Sequence, residues 1–354
     1  MLSMRGVVAT AAATAIALAP GAAQAELDER EIQVVGTWSN LSQWSKYEQP
    51  FWQGLPESSG GRLTANAKPM DELGLSGFEL MRQLELGVFD VVHTLASYSA
   101  NDVPVAGGID LAGLIQDREA YGKMIEAYRP VLDAEFRASY NARVLALYSF
   151  SSYSILCDLP DDRSVDDGID ALAGLKIRSH SISMGDLIEG LGGTAVTLPF
   201  AEVVPSMQQG VVDCGVTGVL SGYEAKWHQV TDSYLGVPLG FGTVVVAANL
   251  DFWNSLSPDT QAHLEAQFAN LEAEVTAGSV AEDEMGIACY GAGPCPLGEP
   301  GNNAVIALDD EDRAKLAGVV RSVVLTRFAE RCGADCTRQW NETVGAALGV
   351  TAGE

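Results

Sequence analysis

The stretch RVLALYSFSSYSIL (143–156) is evenly apolar and too long for one ordinary strand, since strands in globular proteins usually run roughly 3–10 residues. A strand of that length can begin in one lobe and finish in another. On either side of it the chain repeats one order. IQVVGTW (32–38), LTANAKPM (63–70) and FDVVHTLAS (89–97) read as strands. Between them lie an aromatic segment with Trp44, Tyr47, Phe51 and Trp52 at helical spacing, and a helix N-capped by Ser76 that stops at Gly87. A long helix is predicted over 117–140. Past the long strand come LKIRSH (175–180), TAVTLP (194–199) and VVDCGVTG (211–218), separated by helical stretches, then TVVVAAN (243–249). Strand–helix alternation predicts largely parallel sheets. The expected fold class is therefore α/β, in two lobes with a cleft between them where ligands sit. The first lobe takes 26–150 and 240–275. The second takes 151–239 and 276–354, including a cysteine-containing tail.

Residues 1–25 carry Arg5, an apolar run from Val7 to Ala19, and a small-x-small close at Ala23-Gln24-Ala25. That is the pattern of a cleaved signal peptide, and the apolar run is too short and Ala-rich for a membrane anchor. Cleavage predicts a periplasmic protein with no direct membrane insertion. Six cysteines suit export. Cys289 and Cys295 bracket a Gly/Pro loop, Cys332 and Cys336 bracket Gly333-Ala334-Asp335, and each pair reads as a disulfide in an oxidising compartment. Zinc fits neither pair, since the spacings are wrong and no His is near. Cys157 and Cys214 either pair or pack as small hydrophobes; the sequence leaves both open.

Lys and Arg total 21 against 47 Asp and Glu, a net −26. Such a balance excludes nucleic acid as partner, which needs a basic face. A small anion remains admissible, because one buried Arg outweighs a distant, screened surface.

Four blocks, in order, resemble one family, the solute-binding subunits of tripartite ATP-independent periplasmic (TRAP) transporters. They are SSGGRLTANAKPMDELG with LMRQLELGVFDVV (58–92), LAGLKIRSH (172–180), LGGTAVTLPFAEVVPSMQQGVVD (191–213) and ANLDFWNSLSPDTQAHLE (248–265). The tail from 286 has no counterpart in the pattern. The resemblance implies a two-lobed periplasmic-binding-protein fold hinged by strands, closing on a small organic acid that is delivered to TRAP membrane permease subunits. No cofactor or metal is implied.

Arg178, near the end of LKIRSH, matches the family arginine that pairs with the ligand carboxylate. The residue type suits the role, because a guanidinium meets a carboxylate with two parallel hydrogen bonds and keeps its charge when desolvated. The alternatives are a solvent-directed side chain or an ion pair with Asp186. An Arg facing an open cleft adds little to stability. Trp38, Tyr98 and Tyr153 stand at strand ends or on the crossing strand, where they line a cleft or pack in a core. Thr217 and Gly218 end a strand, and Ser221 and Trp227 follow where the family often places ligand contacts; Trp227 either covers an apolar ligand body or packs in the core. Glu202 reads as a helix cap. The aromatics, and the loss of the polar stretch after Asp213, tilt toward a monocarboxylate with an apolar or aromatic body, with C4-dicarboxylates and sugar acids left open. Catalysis finds no support. His93, His180, His228 and His263 are dispersed, no nucleophile or phosphate-loop motif appears, and His180 alone stands near Arg178 as an acid or base. A sensory ligand-binding module is the competing class.

Overall fold

The computed structural model describes residues 26–353, so the expected leader lies outside the described residues. Ten strands are numbered along the chain: β1 Arg30–Gly36, β2 Leu63–Pro69, β3 Val91–Leu95, β4 Ala142–Cys157, β5 Lys176–Ser179, β6 Thr194–Thr197, β7 Cys214–Gly218, β8 Ser233–Leu235, β9 Phe241–Asn249 and β10 Ala304–Ile306. The first lobe's sheet has the order β2-β1-β3-β9-β4, and the second continues β4-β7-β5-β6, with β8 and β10 beside the end of β4.

Parallel pairing holds inside each wing: β1 with β2 and β3, and β5 with β6 and β7. The expectation of largely parallel sheets fails where the chain crosses between lobes. There β9 runs antiparallel to both β3 and β4, and β4 antiparallel to β7. The reason is topological. β9 enters the first sheet directly from the second lobe, without the helical crossover that a parallel neighbour requires.

β4 is the long strand expected to join two lobes, and it does so by changing partners. Residues from Ala142 to Ser152 pair with β9, and those from Tyr153 to Cys157 with β7. Between Ser149 and Ser152, two residues of β4, Phe150 and Ser151, face one of β9, Gly242. This is a bulge, which bends a strand and frees local backbone groups. Those groups are satisfied from the helices. Ser152 N–H donates to Asp283 at 2.6 Å, Arg118 donates to the Phe150 carbonyl at 3.3 Å, and Arg118 and Asp283 pair at 2.7 Å.

The predicted helix over 117–140 is Arg118–Tyr140, capped by the Asp117 side chain on Ala120 N–H. Ser76 holds the cap position of its helix but makes no side-chain cap bond, and a 3-10 turn, Gly77–Glu79, leads into Leu80–Glu85. A helix of 33 residues, Pro258–Tyr290, spans about 50 Å and packs along β4 and against the second-lobe helix Val219–Glu224. A Cβ at Gly286 would stand 2.6 Å from the Leu220 backbone nitrogen. Glycine there permits the close helix approach, at the usual cost in helix propensity.

Beneath the cleft Glu48 accepts from Thr37 N–H (2.7 Å), the Thr37 hydroxyl (2.8 Å) and the Tyr148 hydroxyl (2.8 Å). Burial raises its pKa to about 7. These bonds tie the end of β1 to β4 and fix the backbone just before Trp38.

All three cysteine pairs are bonded: Cys157–Cys214, Cys289–Cys295 and Cys332–Cys336. Cys157 and Cys214 stand directly opposite on β4 and β7, which resolves the open alternative. The tail starts on the second lobe, where Val319 packs close to Gly190. It ends against the first, where Trp340 Nε1 donates to the Gly108 carbonyl at 2.8 Å. Among the described residues no helix is long and apolar enough to cross a membrane.

Gly286→Ala should lower stability by about 1–3 kcal/mol, because the added methyl forces the two helices apart. Chemical denaturation measures it, and an unchanged midpoint would contradict the close-approach assignment.

Candidate functional site

The parallel strands of both lobes end on one small cavity, as ligand sites in such sheets do at the carboxyl ends of strands. β1 delivers Trp38, β3 Tyr98, β5 Arg178 and His180, and β7 Thr217 and Gly218; Ser221 follows on the next helix. Tyr153 reaches it from β4, just past the bulge. Seven of the eight residues singled out from sequence thus line one space. Trp227 does not. It stacks behind the wall on Phe200 (5.4 Å between ring centroids) and lies 5.8 Å from the Arg178 guanidinium.

Sequence reasoning missed the apolar wall of Leu41, Leu95, Phe150 and Phe200. Trp38 stands at its centre, with ring centroids 5.1 Å from Phe200, 6.1 Å from Phe150 and 6.4 Å from Tyr98. Phe150 could have been found from the crossing strand, where it precedes Tyr153 in the same apolar run. Phe200 had only its place after a strand end. Glu202 is exposed and makes no capping bond, so its expected role is not observed.

Arg178 is 1% exposed. Its Nε donates to the Leu198 carbonyl at 2.9 Å and Nη1 to the Val216 carbonyl at 2.7 Å, while the buried Nη2 has no partner. Asp186 is engaged elsewhere, with Arg327 at 3.1 Å and Arg331 at 2.5 Å. The solvent-directed and Asp186-paired alternatives both fail. Burial lowers the Arg178 pKa, with Tyr98 and Tyr153 acting the other way; a guanidinium still keeps its proton. The expectation that Arg178 adds little to stability is corrected as well. Its two carbonyl bonds join the ends of β6 and β7, so its removal strands two buried acceptors.

Around it the other polar groups are neutral or weakly charged. Burial, with Arg178 adding to it, pushes the His180 pKa well below its ordinary value, and neither ring nitrogen has a protein partner. The Tyr153 hydroxyl is buried without a partner, its pKa raised well above normal by burial and then by Asp110. Asp110, just behind, has its pKa raised by burial to about 7, and its Oδ2 is 4.0 Å from His180 Nε2. The cavity is therefore one cation, a set of neutral hydrogen-bonding groups, and an aromatic wall. It can hold one anionic group and cover an apolar body.

The model of the DctP family, described as bacterial extracellular solute-binding protein, family 7, matches residues 34–289. A TRAP periplasmic solute-binding protein from Desulfovibrio salexigens with bound orotic acid superposes with TM-score 0.78 at 17% identity, covering 90% of this chain and 99% of that one. A Bordetella pertussis extracytoplasmic solute receptor binding pyroglutamic acid gives 0.76 at 16%, covering 90% and 99%. A Rhodoferax ferrireducens TRAP solute-binding protein with copurified benzoate gives 0.73 at 20%, covering 90% and 98%. Their two-lobed architecture is the one described above.

Asp110 makes a pH prediction. Its carboxyl ionises near 3.8 when unfolded and near 7 when folded. The native state thus holds the proton longer, and stability falls as pH rises through that window. Asp110→Asn should remove its share of this slope in denaturation measured from about pH 4 to 8, leaving the share that Glu48, also raised to about 7, contributes. A wild-type slope kept by the variant would place the raised pKa elsewhere.

Proposed function

The chain belongs to the bacterial extracellular solute-binding proteins of family 7, and we propose that it captures a small organic acid in the periplasm and delivers it to TRAP membrane permease subunits. One observation carries the reading: Arg178 is a buried cation lining the cavity, and its Nη2 makes no protein hydrogen bond. Leaving a charged donor unpaired in a dry site is costly, and a ligand carboxylate relieves that cost with a charge-assisted bond. The three relatives named above, in complex with orotic acid, pyroglutamic acid and benzoate, support an acid as the cargo. Leader cleavage after Ala25 puts the mature chain in the periplasm.

Capture works by closure. The lobes, 26–150 with 240–275 and 151–239 with 276–354, move about the crossing segments, with the end of the tail docked back on the first lobe. Between the lobes Ser42 of the first donates its N–H to Glu224 of the second at 3.1 Å, and its hydroxyl bonds the same carboxylate. Ala112 N–H donates to Ser183 Oγ at 2.8 Å. A ligand that touches residues of both lobes binds the closed state more tightly and shifts the hinge equilibrium toward it. The permease then receives the closed form.

Arg178→Ala should weaken carboxylate binding by about 10- to 150-fold, the equivalent of a charge-assisted bond of roughly 1.5–3 kcal/mol. Arg178→Lys should recover part, because an ammonium lacks the planar fork. Both variants should also melt earlier, so calorimetric titration belongs well below their transition. Unaltered affinity in Arg178→Ala would refute the site.

A further inference from the structure

Arg178 accounts for one end of the cavity. A second set of polar atoms there makes no hydrogen bond to the protein, with Asp110 the polar neighbour behind it. Tyr153 Oη and both nitrogens of His180 are buried with no partner, and both residues line the same space as Arg178. Their rings lie against each other, with centroids 4.5 Å apart. His180 follows Arg178 by two residues at the end of β5, and successive alternate residues of an extended chain project to one side. The unpartnered groups therefore stand next to the place a bound carboxylate would occupy.

Resting on the carboxylate reading, we propose that Tyr153 and His180 form a second recognition pole, for an uncharged hydroxyl on the carbon next to the ligand's carboxyl. The substrate class is then 2-hydroxy monocarboxylic acids. Charge argues first. Arg178 is the one cation lining the cavity, and a second carboxylate would meet only neutral groups. Hydrogen-bond roles argue next. Asp110 Oδ2 lies 4.0 Å from His180 Nε2, too long for a hydrogen bond but close enough for its charge to favour the proton on that nitrogen. Nδ1 is then left as an acceptor. Tyr153 keeps its proton, because burial and Asp110 both oppose ionisation, and so it offers a donor. A hydroxyl is the group that gives one hydrogen bond and receives another, and it satisfies both. A plain hydrocarbon at that carbon would leave both buried groups unpaired, and such a loss is expensive. Gly242 fits the arrangement: a Cβ there would stand 2.2 Å from Tyr153 Oη, so only glycine lets the phenol occupy its place.

The test compares two matched pairs by titration calorimetry at about pH 8.5, where Asp110 is ionised: lactate against propionate, and mandelate against phenylacetate. The wild type should bind the hydroxy member of at least one pair about 10-fold or more tighter. Tyr153→Phe, which keeps the ring and its packing, should erase most of that preference while leaving the deoxy member's affinity unchanged or improved. Equal binding within each pair, lost in Arg178→Ala, overturns the second pole while leaving the carboxylate site intact. A preference that survives in Tyr153→Phe overturns it also. If none of the four acids binds, both readings fall together.

Discussion

A single buried positive charge sets the terms for this structure. Taking a guanidinium out of water costs several kcal/mol unless its donors are matched. Here the protein matches two, Nε with the Leu198 carbonyl and Nη1 with that of Val216, and leaves Nη2 open. The two carbonyls come from the chain leaving β6 and from β7, so the charge is anchored by backbone that the second sheet already holds rigid. That arrangement fixes the direction of the open donor at little further entropic cost. It also explains why the fold tolerates a cation with no carboxylate beside it. The acidic surface lies outside the cleft, where water and salt screen it over roughly a Debye length of 8–10 Å.

The remainder of the cavity follows from how the sheets are joined. Parallel wings bring the ends of β1, β3, β5 and β7 to one place, and the antiparallel crossings of β4 and β9 keep the two wings facing each other. The crossing is where the backbone departs from regular pairing, and it is reinforced from both sides. Arg118, at the start of its helix, and Asp283, on the long helix, hold the freed groups of the bulge and pair with each other. Phe150 lies in that bulge and Tyr153 immediately after it, and both line the cavity. The cavity wall thus includes the crossing segment itself.

Much of this was legible in the sequence, for reasons that can be named. The strand at 143–156 was readable because it breaks the ordinary length rule, and each parallel wing because helices alternate with strands. Arg178 stood out through its chemistry together with the resemblance of LAGLKIRSH. What escaped was long-range. The antiparallel crossings depend on where β9 re-enters, which no local pattern records. The wall of Leu41, Leu95 and Phe200 consists of ordinary apolar residues whose role comes only from position. Trp227 was misplaced because a tryptophan beside a ligand and one packed behind it share the same local sequence. The two carbonyl bonds of Arg178 were invisible for the same reason, and with them its share in stability.

The disulfides add a constraint on where motion can occur. Cys157–Cys214 joins the last residue of β4 to the first of β7, across a directly opposed pair. A link closing 57 residues restricts the unfolded chain by about 4 kcal/mol in the loop-entropy picture. In the folded state it has a second effect, because the stretch from Tyr153 to Cys157 cannot peel away from β7. The bulge at Phe150 and Ser151 lies just before this pinned stretch and pairs with neither β9 nor β7. Tyr153 thus shares the second sheet with Arg178, with His180 just past its β5 strand, while Trp38 and Tyr98 come from the first. The groups that would read the polar end of a ligand share one sheet, and Trp38 and Tyr98 face them from the other.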